Sequence, residues 1–365
     1  MNFFHRLPLV PLIFLFSCIF SGCSRRAADS GDLNPRLIKA VRNGDATQVE
    51  QLVRKGAFVG AKDEGGDTAL VIAAKQGDHA VASLLLNNSI SVRDLDEALL
   101  WATMSEPLVK IEAGPEVHVP TAELNPIDEN YANVARLLLD KGAGIETRRE
   151  DGETPLIRAA SHGETAVVKL LLDRGAEIEA IDQEGGTALH GAACECAAID
   201  MPDTLDSIKL LVEKGANIEK KNDQGDTPLI IAAGWGRTEN VGFLLEKHAN
   251  IEAKDNDGNT ALMISARGSG YPTADTVRFL LDHGSKIDMK NKDGETALML
   301  AASGNGTDQI EIVKLLLERG ADVRAKDFHG NTALSLAQED DHPDVIEGTH
   351  TKLIGMLKNA LEAAP

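Results

Sequence analysis

The sequence predicts an all-α repeat solenoid, a stack of about nine helix-turn-helix units that each push out a β-turn or short hairpin. Three recurring features predict it. A Gly-x-Thr-(Ala/Pro)-Leu signature returns with its Thr at positions 68, 154, 187, 227, 260, 296 and 332, the later spacings being 33, 40, 33, 36 and 36. An apolar triplet follows the first six of these, from Leu84-Leu85-Leu86 to Leu315-Leu316-Leu317, and Leu137-Leu138-Leu139 lies between the first two. Most triplets run on into Gly-Ala-x-(Ile/Val), as at Gly175-Ala176-Glu177-Ile178 and Gly320-Ala321-Asp322-Val323. Such a period marks units that cannot bury their own apolar face and gain a core only by stacking.

From the N-terminus, residues 1–22 carry Arg6 and then an uncharged stretch from Leu7 to Gly22. That stretch is short of the ~20 apolar residues a bilayer-spanning helix needs, and it suits the apolar region of a secretory signal peptide. It ends Ile19-Phe20-Ser21-Gly22-Cys23, which resembles the lipobox of bacterial lipoproteins. The resemblance implies cleavage before Cys23 and a diacylglyceryl group on its thiol. Ser24 stands where an Asp would imply retention in the inner membrane. The implied location is the cell envelope, lipid-anchored on the periplasmic side, at the outer membrane where the organism has two. Residues 23–33 then comprise the lipidated cysteine and a flexible tether rich in Ser, Ala, Gly and charge.

The repeat array is expected over 34–342, and each signature position has a physical task. Thr is a good helix N-cap, and Pro155 and Pro228 fit the first helical position, where no N–H is needed. Pairs such as Ala159-Ala160 and Ala301-Ala302 make a thin first helix that neighbours can approach closely, and the Leu triplet gives the second helix its buried side. Gly142, Gly175, Gly215, Gly284 and Gly320 suit left-handed C-terminal residues, while the Gly two before each Thr suits a turn needing positive φ. The first unit, Asn34 to Lys62, lacks the Thr signature but keeps Gly44-Asp45 and Gly56-Ala57, as a cap would. The third is degenerate: Asp96-Glu97-Ala98-Leu99 replaces the signature, Trp101 falls at a core position, and an insertion is expected over about 104–130. Shorter inter-helix extensions fall near 196–206, 268–274 and 303–309, and residues 343–365 form an amphipathic capping helix.

This pattern resembles the ankyrin repeat, most clearly at Asp182-Gln-Glu-Gly185-Gly-Thr187-Ala-Leu-His190 and Asn222-Asp-Gln-Gly225-Asp-Thr227-Pro-Leu. The resemblance implies a non-enzymatic protein–protein interaction module whose contacts lie on the turn tips and at the ends of the first helices. The tip positions this transfers include Glu150, Asp151, Glu153, Glu184, Asp223, Asp226, Asp257, Asp293 and Glu295. Eleven of the 21 tip residues are acidic and one is Lys, so the expected partner is a basic or mixed-charge protein. Lys254, Lys290 and Lys326 sit close enough to offset part of that field, and Asp and Glu also populate solvated turns for no functional reason. Trp235, between Gly234 and Gly236, is either a contact anchor or packing over the next repeat. The frequent family His after the signature Leu survives only as His190, so its hydrogen-bond network is expected to be weak elsewhere.

Composition excludes several other functions. Lys+Arg total 37 against Asp+Glu 57, a formal charge of −20, which argues against sequence-independent nucleic-acid binding and against electrostatic docking on anionic lipid. Of 13 aromatics, Phe3, Phe4, Phe14, Phe16 and Phe20 fall in the signal segment, so an aromatic-lined ligand pocket is not expected. No nucleophile–base motif or phosphate-cradling loop stands out, and neither catalytic residues, a cofactor, a metal nor a small-molecule substrate is expected. A competing reading takes His190, Cys194 and Cys196 as a periplasmic metal or redox site. Against it, a bridge between residues two apart is strained and no fourth ligand is evident.

Overall fold

The computed structural model describes residues 33–104, 125–194, 204–268, 273–304, 308–339 and 349–363. They fall into two compact blocks. The first holds α1 (33–42), α2 (Ala46–Arg54), α3 (Ala69–Lys75), α4 (His79–Leu85), α5 (Val92–Trp101) and the later part of α6 (Asn125–Asp140). The second, from Ile145 onward, holds α7 (Pro155–Ser161), α8 (Thr165–Asp173), α9 (Ala188–Ala193), α10 (Leu205–Glu213), α11 (Pro228–Gly234) and α12 (Thr238–Glu246). It continues through α13 (Ala261–Arg267), α14 (Ala274–Asp282), α15 (Ala297–Ala302), α16 (Gln309–Glu318), α17 (Ala333–Glu339) and α18 (Thr349–Ala363).

In the second block the helices form two layers. First helices pack in sequence, α7 on α9, α9 on α11, α11 on α13, α13 on α15 and α15 on α17. Second helices do the same from α8 through α10, α12, α14 and α16 to α18. The C-terminal helix α18 therefore takes the second-helix place of the ninth repeat, packed on both α16 and α17, with Leu353 and Leu357 buried. In the first block α2 packs on α4, and α3 on α4 and α5. Alanine explains the close first-helix layer: Ala73, Ala74, Ala159, Ala160, Ala192, Ala193, Ala232 and Ala233 are fully buried, leaving no side-chain bulk between neighbours.

Local chemistry starts and stops each helix. The hydroxyls of Thr68, Thr154, Thr227, Thr260 and Thr296 accept from the backbone N–H three residues on, and Pro155 and Pro228 open α7 and α11. Second helices end in a left-handed residue, with φ near 90° at Gly142, Gly175, Gly215, Gly284 and Gly320. The sixth repeat has His248 there at φ 68°, the one non-Gly residue with positive φ among the described residues.

The degenerate third repeat departs from the expected register. Ser91, not Asp96, caps α5 by accepting from the Asp94 N–H, and α5 starts one turn earlier. The Asp96 carboxylate instead accepts from the Gly144 N–H at 2.7 Å. Trp101, expected in the core, is half-buried, with the Lys75 ammonium 3.8 Å from its ring centroid and ion-paired to Asp67 at 2.6 Å. Pro126, expected within the insertion, lies in the first turn of α6, which tolerates proline. Residues 1–32, and with them the signal segment, Cys23 and most of the tether, lie outside the described residues, as do 105–124 of the insertion and Cys196.

Candidate functional site

The site is assembled from the turns that precede the first helices. In all but the fourth repeat, where Arg149 holds the place and Asp151 accepts from the Glu153 N–H instead, the residue three before the turn glycine aims its side-chain oxygen back at the turn. Asp182 accepts from the Glu184 and Gly186 N–H groups at 2.9 and 2.8 Å, and Asp255 from Asp257 and Asn259 at 2.8 and 2.7 Å. Asn291 and Asp327 repeat the pattern. For Asp327, burial pushes the carboxyl up, but the Asn331 and His329 N–H groups outweigh it and hold it below the usual carboxylate range. Only one isolated bridge, Lys62 to Thr68, is strand-like among the described residues, so the protrusions are turns rather than full hairpins.

Successive tips are tied by backbone bonds. The N–H groups of Gln183, Asp223, Asn256, Lys292 and Phe328 donate to the carbonyls of Asp151, Glu184, Gln224, Asp257 and Asp293 of the preceding repeat, at 2.8–3.1 Å. The turn glycines are needed twice over. Gly225 has φ +82°, and a Cβ there would stand 2.6 Å from the Asn256 N; at Gly152 it would stand 2.8 Å from the Gln183 N. Sequence reasoning found the first requirement; the second appears only when repeats are stacked.

A second set of side chains spans repeats on the loops after the second helices. Carboxylates of Glu146, Glu179, Glu219 and Glu252 accept from the N–H of Glu177, Asn217, Asn250 and Lys286 in the next repeat at 2.6–2.7 Å. Lys221, Lys254 and Lys290 each donate forward to the carbonyls of Lys254, Lys290 and Lys326 at 2.6–2.8 Å. Part of the acidic excess is therefore structural, and two of the lysines expected to dilute the tip field are held by these links.

The turn tips and first helices of repeats four to six enclose a groove of about 480 Å³. Glu153, Glu184, Asp226, His190, Cys194 and Trp235 all line it. The structure thus gathers into one place residues that the sequence offered as rival sites. Trp235, the C-cap of α11, is half-buried at its edge, and Ile157 and Ile231 supply apolar wall. Gly191 widens the floor. Four residues after the signature Thr, other repeats carry Ile72, Arg158, Ile231, Ile264, Leu300 and Leu336, and this repeat alone has glycine. Aligning that one column would have found it.

The other tip residues divide by environment. Glu150, Asp151, Glu184, Asp223, Asp257 and Asp293 are exposed, whereas Glu153, Asp226 and Glu295 are half-buried. Glu153 pairs with the buried Arg158 at 3.1 Å, and Glu295 accepts from the Asn291 amide at 2.8 Å, so neither is an unengaged charge. Burial raises the Asp226 carboxyl above its ordinary range, and the negative charges of Asp255 and Asp257 add to the rise. A cation entering the groove would relieve that repulsion.

His190 is 3% exposed and serves the scaffold. Its Nδ1 accepts from the Thr187 N–H at 3.1 Å, which leaves Nε2 protonated and able to donate to the Asp226 carbonyl of the next repeat at 3.1 Å. Desolvation holds it below the ordinary histidine pKa, offset in part by that carbonyl. Both ring nitrogens are thus engaged, which removes the histidine from the metal reading. Elsewhere the threonine caps form without histidine, and in the ninth repeat the Ser335 hydroxyl accepts from the Thr332 N–H at 2.8 Å.

This geometry defines a helical repeat scaffold with an open tip-and-helix groove. A family model for ankyrin repeats (3 copies) matches residues 37–113, 127–201, 196–291 and 270–348, and the chain belongs to the ankyrin repeat family. One ankyrin repeat protein of Rickettsia felis is 33% identical over 96 residues, 26% of this chain and 34% of its own length. The chain therefore spans about a third of that relative. A second from the same organism is 39% identical over 54 residues, 15% of this chain and 86% of its own length. Among solved structures, the human ASB11 ankyrin repeat domain superposes with a TM-score of 0.52 at 22% identity, covering 65% of this chain and 96% of the domain. That likeness shows the fold. Its ankyrin repeats suggest a protein–protein interaction module.

Proposed function

We propose that the chain is an exported, lipid-anchored ankyrin scaffold, inhibitor or protector that grips a basic or mixed-charge partner protein in the groove of repeats four to six. The observation that carries this reading is the half-buried Asp226, facing the repulsion of Asp255 and Asp257 in a groove edged by Trp235 and the exposed Glu184. A partner Lys or Arg would neutralise that charge while its aliphatic stem covers the indole and Ile231. Glu150, Asp151, Asp223, Asp257 and Asp293 on neighbouring tips would steer its approach.

The test is capture from envelope extract by the exported protein. Reversing the charge of Glu150, Asp151, Glu184 and Asp223 together should weaken recovery of the partner and its salt sensitivity; unchanged recovery would sink the acidic-groove reading. Cys23→Ala should abolish incorporation of labelled lipid, and a label that persists would refute the anchor separately.

A further inference from the structure

We infer that the first repeat carries a membrane-headgroup contact, a face that rests on anionic phospholipid. The inference rests on the lipid-anchor reading for its biological setting but not for its measurement. Residues 33–62 hold six basic residues (Arg36, Lys39, Arg42, Arg54, Lys55 and Lys62) against Asp45 and Glu50, a local charge of +4 in a chain of −20. All six are exposed. The bulk charge that argues against lipid binding therefore hides a basic N-terminal pole, and the acidic excess lies wholly beyond it.

The pole also has a shape. Lys39, Arg42 and Lys62 share an open recess of about 810 Å³ with Pro35, Ile38 and Phe58. Phe58 is 62% exposed, although its backbone is fixed by an N–H bond to the Asn34 side chain at 2.9 Å. An exposed phenylalanine flanked by lysines suits a headgroup layer, where the ring enters the interface and the ammonium groups meet phosphate. Asp63 neutralises Arg42, so the basic character of the recess comes from Lys39 and Lys62. Asp63 is turned inward, its side chain 8% exposed, paired with Arg42 at 2.6 Å and accepting from the Asp67 N–H, and Glu64 stands out on the turn tip.

Chain length agrees with this occupant. Nine residues separate Cys23 from residue 33, and even fully extended they reach about 30 Å. An acyl group on Cys23 would hold the first repeat within that distance of the bilayer, at high effective concentration beside its headgroups.

The experiment is vesicle flotation of residues 24–365, which contain every described helix and no lipidation site, so it runs whether or not Cys23 is acylated. Vesicles of roughly 40 mol% phosphatidylglycerol in phosphatidylcholine should bind the protein at low salt, and pure phosphatidylcholine should not. Binding should fall away at about 0.5 M salt, where charges are screened within a few ångströms. Each basic residue near the surface contributes about a fivefold factor in partition, so K39E/K62E should lower it at least tenfold. Phe58→Ser should lower it a further few-fold without changing the salt slope. Equal partition of K39E/K62E and the parent, with circular dichroism showing both folded, would overturn the proposal. So would equal binding to the two vesicle types, or no binding to either.

Discussion

Replacing His190 by Ile tests how much one side chain contributes to coupling between the fifth and sixth repeats. Ile157 and Ile230 occupy the same register in adjacent repeats and are each 2% exposed, so the site accepts the new side chain. What is lost is the Thr187 N–H to Nδ1 bond and the Nε2–H to Asp226 carbonyl bond. At about 1 kcal/mol net each, less the gain from burying a more apolar side chain, the loss at pH 8 should be about 1–2 kcal/mol. The pH dependence gives the sharper check. Burial depresses the folded pKa of His190, so the unfolded chain binds a proton that the folded ring refuses. Its stabilisation is complete above the ordinary value of about 6.5 and is lost as pH falls from there toward the folded pKa. Urea unfolding of the parent and His190→Ile between pH 8 and pH 5 should therefore show their gap closing on acidification. His162, also depressed by burial, is present in both proteins and cancels in the comparison. A gap that stays constant, or widens, over that range would refute the neutral, doubly bonded imidazole.

Other outcomes follow from single positions. His248→Gly should raise stability by about 1 kcal/mol in urea melts, because a Cβ at φ 68° is strained where the equivalent positions have glycine. Asp255→Ala orphans the N–H groups of Asp257 and Asn259 and should cost about 1–2 kcal/mol, with faster hydrogen exchange at those two amides. Gly191→Leu should reduce partner capture at least tenfold by filling the groove floor. Its new Cβ stands 3.3 Å from the Ile157 carbonyl, so a thermal midpoint lowered by a few degrees is expected, and full capture would show that the floor is not used. Trp235→Ala should weaken capture by about 2 kcal/mol, read as an increased dissociation constant, if the indole is an anchor.

The repeat period, the threonine caps and the glycine turns were legible because each is written within a few adjacent residues. The third repeat was misregistered because Ser91 and Asp96 are both plausible caps, and only the distant Gly144 N–H decides which one is used elsewhere. The acidic tips were legible as a set, but not the division of labour within it. That Glu153 answers a buried Arg158 while Glu184 faces solvent depends on the fourth repeat packing against its neighbours. The groove was legible only in pieces, since Gly191 lies 44 residues from Trp235 in sequence and no local signal joins them. Likewise, a net charge summed over the chain concealed the opposite sign of its first repeat.

The forward reach of Lys221, Lys254 and Lys290 gives the chain a molecular grammar of inheritance. Each lysine finds its acceptor 33 or 36 residues later, on the residue that occupies its own place in the next repeat. A tandem duplication of one such segment would carry a donor at one seam and an acceptor at the other, so the daughter copy would fit without a new contact being invented. Arrays of this kind can change length in a single genetic step. The fourth, fifth and sixth repeats, whose groove is lined by the unlike residues Ser161, Gly191 and Trp235, are the place where such a step would erase the proposed partner site while sparing the fold.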